Sequence, residues 1–375
     1  MNILIFSPKY PDKKHSTYQF VKELVDEWAE QGHNCTVVAT YSITSNRGFY
    51  PFKTVEEHAG GGRVTILRPN IPTFSELTLC GVEITLEIQR LAIKWALKAI
   101  DEPQDVVYCH FWQSGADGYL YANKHNTPLF IATGESDVKR LFREKIDRKF
   151  LSMVKGVVCV SSKNRDESIA LGLTTAEKCG VFPNAVDLNL FHKMDKAECR
   201  RQLGFPEDAF ITITVGAFKE TKGVARMSEA LNMIEDKDVH SVFVGSGSVR
   251  PYANNMVFCD KLMHSDVPLY LNAADVFVLP TLAEGCCNAI IEAMACGVPV
   301  VSSNLSFNHD VLNDTNSILI DPTDSHQIKD AILALKSDHT LKQRLAEGAL
   351  RTATALNISQ RASNVLAFIN EMIKK

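Results

Sequence analysis

Short apolar runs alternate with longer amphipathic stretches along the whole chain. The runs Asn2–Phe6, Thr36–Ala39, Val64–Leu67, Val106–Tyr108, Leu129–Thr133 and Gly156–Val160 predict buried strands, being too short for helices and rich in Val, Ile and Leu. Between them, Tyr18–Gln31 and Ile84–Ile100 carry apolar residues at helical spacing, the first ending before Gly32. A second series follows Pro183. Its strands are expected at Ile211–Val215, Ser241–Val244, Val276–Leu279 and Pro299–Ser302, with Ser317–Ile320 at an edge. Helices are expected near Val224–Ile234, Val267–Ala273, Ala289–Cys296 and Ser325–Lys336. This alternation predicts an α/β fold of parallel sheets covered by helices on both faces. The segment PNAVDLNLFHKMDKAECRRQLGFPED mixes turn residues and charge between the two series, which places the domain junction within it. The expected plan is two doubly wound, Rossmann-like domains, 1–190 and 191–355, with a terminal segment 356–375. Two such domains leave a deep cleft between the carboxyl ends of their strands, where ligands of these sheets bind.

Composition narrows the function. The 375 residues are 45% hydrophobic and 22% charged, with a net charge of −4, so no basic field argues for nucleic acid. The start, MNILIFSPKYP, reads as a first strand without a cationic leader. No apolar run approaches the roughly 18 residues that span a bilayer. A cytoplasmic location is the expectation. There are ten cysteines and no C-x-x-C pair, so zinc-ribbon and thioredoxin-like readings lack their spacing. Cys35, Cys109 and Cys159 lie in or beside apolar runs and read as small core residues.

The chemistry concentrates in EGCCNAIIEAMACG, residues 284–297. VFVLPT before it reads as a buried strand, and AIIEAMAC as a helix closed by Gly297 and Pro299. Glu284, Gly285, Cys286, Cys287 and Asn288 then form the loop from a strand's carboxyl end into a helix amino end. Unpaired N–H groups and the helix dipole make that turn a phosphate seat. Glu292, one turn inside the helix, is suited to accept bonds from two vicinal hydroxyls such as those of a ribose. Either acid alone would simply favour a helix amino end; the pair with its loop argues for a site. Cys286 and Cys287 lie where backbone matters more than side chain, although a helix amino end would favour their thiolates.

Two neighbouring loops extend the pattern. ITITVGAFKETKGVARMSEAL runs strand, Gly216, loop, Lys222, Gly223, helix, and Lys222 is placed to reach a diphosphate. It is not a P-loop, because G-x-x-x-x-G-K-[ST] is absent. FVGSGSVR places Gly245, Ser246 and Gly247 after a strand, a weak signal alone. Asp236 and Asp238 form a D-x-D, but it precedes a strand and so lies at the wrong end of the sheet; a solvated turn is expected. KRLFREKIDRKFLSMVKG carries six Lys or Arg between 139 and 149 with Leu141, Phe142, Ile146 and Phe150 interleaved. It reads as an ordinary solvated helix or as an amphipathic helix for an anionic membrane surface.

The stretch E-G-x-x-N-x-x-x-E-A-M-A-C-G-V-P-V-V, the V-G-x-x-x-x-x-K-G loop and Asn184 in FPNAVD together resemble glycosyltransferase family 4, over nearly the whole chain. The resemblance implies the GT-B fold, with the terminal helix crossing back to the first domain. It also implies sugar transfer from a nucleotide-diphosphate sugar, a UDP-sugar foremost, with retention of configuration and no metal or other cofactor. The acceptor would be a glycan or lipid-linked molecule in cell-surface polysaccharide or glycolipid synthesis, and the enzyme would lie in the cytoplasm or at the inner membrane face. Carried over, Glu284 faces the donor sugar, Glu292 the ribose and Lys222 the diphosphate. Gly216, Lys219, Gly245, Ser246, Gly247, Leu262, Gly285, Cys286, Cys287, Asn288 and Ala289 complete the donor site.

The chain also departs from the pattern. Ala217 stands where the family has Arg, leaving Lys219 or Arg226 to supply a second positive charge. The first βα loop, SPKYPDKKHSTYQF, lacks a glycine pair and offers Ser16 and Thr17. ATGESD replaces the family's H-G-x-D, so Glu135 or the strand-terminal His110 becomes the acceptor-side candidate. A sugar-nucleotide epimerase or hydrolase of the same fold and a non-catalytic nucleotide-sugar-binding subunit are the rival readings. An NAD dehydrogenase is disfavoured, since no G-x-G-x-x-G follows the first strand.

Overall fold

The computed structural model describes residues 1–375 apart from 13–16, 47, 75–76, 80–81 and 140–147. The chain forms two compact units. Met1–Val160, Asn164–Phe182 and Ala362–Lys375 make the first, and Ser161–Lys163 with Pro183–Arg361 the second. The basic stretch read as a helix or membrane segment lies largely outside the described residues, as does Ser16.

The first unit is built on an eight-stranded sheet. Its strands are β1 (Asn2–Phe6), β2 (Asn34–Val38), β3 (Lys53–Glu57), β4 (Arg63–Leu67), β5 (Val106–His110), β6 (Leu129–Thr133), β7 (Val154–Cys159) and β8 (Cys179–Val181). Their order is β8-β7-β6-β5-β1-β2-β4-β3. All neighbours pair in parallel except β3, which runs antiparallel along the edge of β4. That edge strand reads KTVEE, and its charges keep an open edge from pairing with another chain. β5 and β6 are buried at every position, which is why Val106–Cys109 and Leu129–Ala132 are unbroken apolar runs rather than alternating ones. The helix Gln19–Glu30 buries Val21, Leu24, Val25, Trp28 and Ala29, one face at helical spacing. Trp28 Nε1 donates to the Ala362 carbonyl at 3.1 Å, so the last segment of the chain closes over the first helix.

The second unit carries a six-stranded, wholly parallel sheet: β9 (Phe210–Val215), β10 (Val239–Val244), β11 (Met256–Asp260), β12 (Val276–Leu279), β13 (Val300–Ser303) and β14 (Ser317–Ile320). The order is β11-β10-β9-β12-β13-β14, the doubly wound arrangement. Each face of this sheet has its own core. Phe277 and Leu279 pack on one side with Ile211 and Ile213, and Val276 and Val278 on the other with Phe210 and Phe243. Alternate residues thus face opposite helix layers, so both must be apolar. Among the described residues, no helix is long and apolar enough to cross a membrane.

Candidate active site

The order of the second sheet reverses between β9 and β12, and the loops leaving those two carboxyl ends are stapled together. Leu282 N and Thr281 Oγ1 both donate to the Thr221 carbonyl, at 2.7 and 3.1 Å. Gly223, at φ 74°, begins the helix Val224–Asn232, and a Cβ there would lie 2.3 Å from the Pro280 carbonyl. Only glycine lets the two loops approach this closely. Beside them, Gly216 donates to Val244 O and Phe218 N to Ser246 O, both at 2.9 Å. A Cβ on Gly245 would meet the Gly216 oxygen at 1.9 Å, so these glycines join the β9 and β10 loops while Ser246 stays exposed.

The stapling brings Lys222 to Glu284. Lys222 Nζ pairs with Glu284 Oε1, which also accepts from Thr281 Oγ1 at 2.9 Å. Both bonds use the same oxygen, leaving Glu284 Oε2 without a protein donor among the described residues. Burial opposes the charge on Lys222, but neighbouring Cys287 and Glu284 outweigh it and hold the ammonium above the usual lysine range. Burial pushes the Cys287 thiol up to about 12, so it is neutral at physiological pH, and Glu284 is the partner that matters there.

The loop then enters the helix Asn288–Ala295, whose N-cap residue Cys287 makes no side-chain cap. Its first-turn N–H groups keep the partial positive charge of an uncapped helix end. Asn184 Nδ2 fixes the turn, donating to Cys286 O at 3.0 Å and Asn288 Oδ1 at 2.7 Å. Gly285 is buried, and Ala289 packs against the core. One turn on, Glu292 Oε1 pairs with His264 Nε2 at 3.0 Å, and Oε2 has no protein donor among the described residues. Both glutamates are thus anchored through one oxygen and open at the other.

The cysteines have a different fate. Burial pushes Cys286 up to about 11 and Cys296 up to about 12, alongside Cys287. The helix amino end does not activate the Cys286 and Cys287 thiols, which corrects the expectation that it favours their thiolates. Cys287 and Cys296 belong to the core beneath the helix. Leu262 packs partly buried against the same core, next to the His264 turn.

In the first unit, His110 and Glu135 follow neighbouring strands. His110 ends β5 opposite Ala132 of β6, and is buried with its ring edge-on to Tyr108 and Phe20. Glu135 is spent on its surroundings. It accepts from Trp112 N at 2.7 Å, Thr133 Oγ1 at 2.6 Å and Gly134 N at 2.9 Å. Burial nevertheless holds its carboxyl above the usual range. The bond to Trp112 N depends on Phe111, whose φ of 68° and ψ of 151° fall in a region other residues leave to glycine. Thr17 is exposed beside a separate cavity in this unit.

Comparison with known proteins agrees with this architecture. A family model described as Glycosyltransferase Family 4 matches residues 19–190, and one described as Glycosyl transferases group 1 matches residues 195–352. The chain belongs to glycosyltransferase family 4. A UDP-Gal:alpha-D-GlcNAc-diphosphoundecaprenol alpha-1,3-galactosyltransferase of Escherichia coli is 25% identical over 82% of this chain and 86% of its own length. Sucrose-phosphate synthase from Thermosynechococcus elongatus superposes with a TM-score of 0.79 at 20% identity, over 100% of this chain and 99% of its own. Anabaena Alr3699/HepE in complex with UDP-glucose gives 0.73 at 17%, over 99% and 100%. The fold is GT-B.

For a family 4 glycosyltransferase, two further placements are informative. Arg226 is committed to the scaffold, donating to Pro322 O at 2.7 Å, Glu220 Oε1 at 2.6 Å and Pro280 O at 3.1 Å. Lys219 is exposed and pairs with no carboxylate among the described residues, so of the two cations expected to compensate for Ala217 it is the available one. His264 is the residue that sequence reasoning missed. A lone His in a turn carries no signal; its offset from Glu292 appears only once strand and helix are folded.

The acidic pair Asp236 and Asp238 sits before β10 as a turn. Asp236 Oδ1 accepts from Asp238 N at 2.9 Å, and its carboxylate pairs with Lys336.

Proposed function

We propose that the chain is a retaining glycosyltransferase that takes its sugar from a UDP-sugar and passes it to a glycan or lipid-linked acceptor in cell-surface polysaccharide or glycolipid synthesis. The observation that carries this reading is the pair of half-committed carboxylates, Glu284 and Glu292, flanking an uncapped helix end with Lys222 beside it. Glu292 Oε2 takes a ribose hydroxyl while His264 holds its other oxygen. Lys222 and the first-turn amides take the diphosphate, and Glu284 Oε2 takes a hydroxyl of the donor sugar. When the bond from the anomeric carbon to the phosphate oxygen breaks, negative charge grows on the leaving diphosphate. Lys222 and the helix end stabilise it in place of a metal. The acceptor hydroxyl attacks from the face the diphosphate leaves, and its proton passes to the departing phosphate oxygen, which retains configuration. The E. coli relative, named for a UDP-sugar donor and a diphosphoundecaprenol-linked acceptor, supports this reading, as does the UDP-glucose complex of the Anabaena neighbour.

Thermal shift with a panel of nucleotide sugars identifies the donor. Glu292→Ala then weakens UDP binding about tenfold or more, as expected for a charged hydrogen bond. Glu284→Ala keeps UDP binding and lowers turnover about 10²-fold or more. Transfer continues in EDTA, and NMR of the product shows the donor's anomeric configuration. Normal transfer by both variants rules out this site. Conversion of donor alone into an isomer indicates the epimerase reading instead.

The same reading places the enzyme at the inner face of the membrane. On the helix Ile84–Ala96, Leu91 is 64% and Trp95 55% exposed, and Arg90 and Lys94 are exposed on the adjoining stripe without ion-pair partners among the described residues. An exposed Trp and Leu beside two cations suit an anionic bilayer surface. Co-sedimentation with anionic vesicles but not neutral ones is expected, and Leu91→Glu with Trp95→Glu abolishes it. Equal recovery with both vesicle types sinks the idea.

A further inference from the structure

The geometry points to a second binding site, a cavity in the first unit that takes a phosphate-bearing polyol, with Arg68 holding the phosphate. The cavity is about 330 Å³, at the small end of the roughly 300–1,000 Å³ of small-ligand sites. It opens where three neighbouring parallel strands end: Lys9 and Tyr10 follow β1, Thr40 follows β2 and Arg68 follows β4. The carboxyl ends of such strands are where a doubly wound sheet binds its ligands.

Arg68 is the unusual feature of this wall. It is 4% exposed, yet no carboxylate pairs with it among the described residues. Nη2 donates to Pro11 O at 2.6 Å and Nη1 to Thr54 Oγ1 at 3.3 Å. The guanidinium lies over the Tyr50 ring at 4.7 Å and the Tyr10 ring at 5.6 Å. Neutral acceptors and ring faces orient the cation but leave the rest of its five N–H donors without an acceptor among the described residues. The Tyr10 hydroxyl, also buried, has no hydrogen-bond partner among the described residues. Burying a cation is costly unless an anion compensates it, and a planar fork with spare donors matches phosphate oxygens. Lys9 adds a second positive charge to the cavity and Asp12 a negative one, leaving it net positive. Elsewhere the wall mixes apolar Pro8, Ala39 and Ile71 with the hydroxyls of Thr17, Thr40, Ser45 and others. Ser42 and Thr73 bond to each other at 2.6 Å and offer a sugar ring polar partners.

A phosphate on a polyol fits both features, whether the ligand is a free sugar phosphate or the sugar diphosphate head of a lipid. This inference depends on the proposed function only in making that ligand the acceptor. The test uses the full chain and ligand-observed NMR. The probes are glucose 1-phosphate, inositol 1-phosphate, glucose, inositol, glucuronate and farnesyl-diphosphate-linked N-acetylglucosamine, with UDP binding measured on each preparation. Phosphorylated probes are expected to bind at least tenfold tighter than their bare counterparts. Tighter binding of the farnesyl compound than of the sugar phosphates assigns the lipid source, and the reverse assigns the free one. Arg68→Gln removes the tenfold preference and leaves UDP affinity unchanged. Should that variant misfold, Thr40→Glu places a carboxylate in the cavity with Arg68 intact, and the same loss is expected.

Phosphorylated probes that bind no better than bare ones overturn the inference, as does glucuronate binding equally well or a preference surviving both substitutions. UDP binding without any phosphate-probe binding removes this site alone. Phosphate-probe binding through Arg68 without UDP binding removes the donor reading and leaves this site standing.

Discussion

Glu284 and Lys222 sit 62 residues apart in sequence and form one ion pair, because two loops leave adjacent strands at the same end of a sheet. Strand-loop-helix patterns were enough to nominate both residues, since each loop carries its own glycine and its own charged residue. Arg68 and His264 were not legible in this way. An Arg after a strand reads as solvated until Tyr10 and Tyr50 are known to bracket it, and those rings come from other loops. The cysteines of 284–297 show how burial reverses a local argument. A helix amino end lowers a thiol's pKa only if the charged form is also solvated, and here desolvation is the larger effect. Iodoacetamide at pH 7.5 is therefore expected to leave transfer activity intact over an hour. Rapid inactivation, blocked by Cys286→Ser or Cys287→Ser, is the result that contradicts this.

At the scale of elements, the central strands of the second sheet announced themselves because both faces are covered and most positions are apolar. Thr214 and Ser302 are buried there with their hydroxyls donating to neighbouring strand carbonyls. The edge strands β3 and β11 did not. β3 reads KTVEE, written in charge, and β11 reads MVFCD with every residue exposed or half-buried, so neither has the buried apolar run of a central strand. Helices hide a further cost. Asp117, on the helix Gly115–His125, accepts from Gln89 Nε2 at 3.2 Å, and burial pushes its carboxyl up to about 6. A folded pKa above the unfolded one means that the stability this acid contributes is full below about pH 4. It is lost as pH rises through about 6. Asp117→Asn should therefore be more stable than the parent at pH 7, by up to roughly 2–3 kcal/mol, and the gain should shrink toward pH 4. Urea unfolding at both values measures it. A variant destabilised equally at the two would show that the Gln89 contact, not the buried charge, dominates.

For the whole molecule, every donor-side residue lies within the second unit, whereas the first unit needs residues 362–375 to be complete. Ala362, Val365, Leu366 and Ile369 are buried, and removing them takes away a whole helix face, well beyond the roughly 0.5–3 kcal/mol of one substitution. A chain ending at residue 361 is expected to lose the cooperative melting of the first unit while still binding UDP. Loss of UDP binding together with the first unit's transition would mean that the second unit cannot stand without it.

The hydrogen bond from Trp28 to Ala362 also sets an order of events during synthesis. Trp28 emerges from the ribosome early, but its acceptor is among the final residues. Between Phe182 and Ala362 the ribosome adds 180 residues (362 − 182), which takes roughly 9–36 s at bacterial-scale elongation rates. Throughout that interval the apolar face of the helix Gln19–Glu30 lacks part of its cover, while the second unit is already being made and can close on itself. The unit that begins first therefore finishes last, and a protease pulse on stalled chains would read out that delay. Its exposed face is the surface a chaperone would meet on the nascent chain.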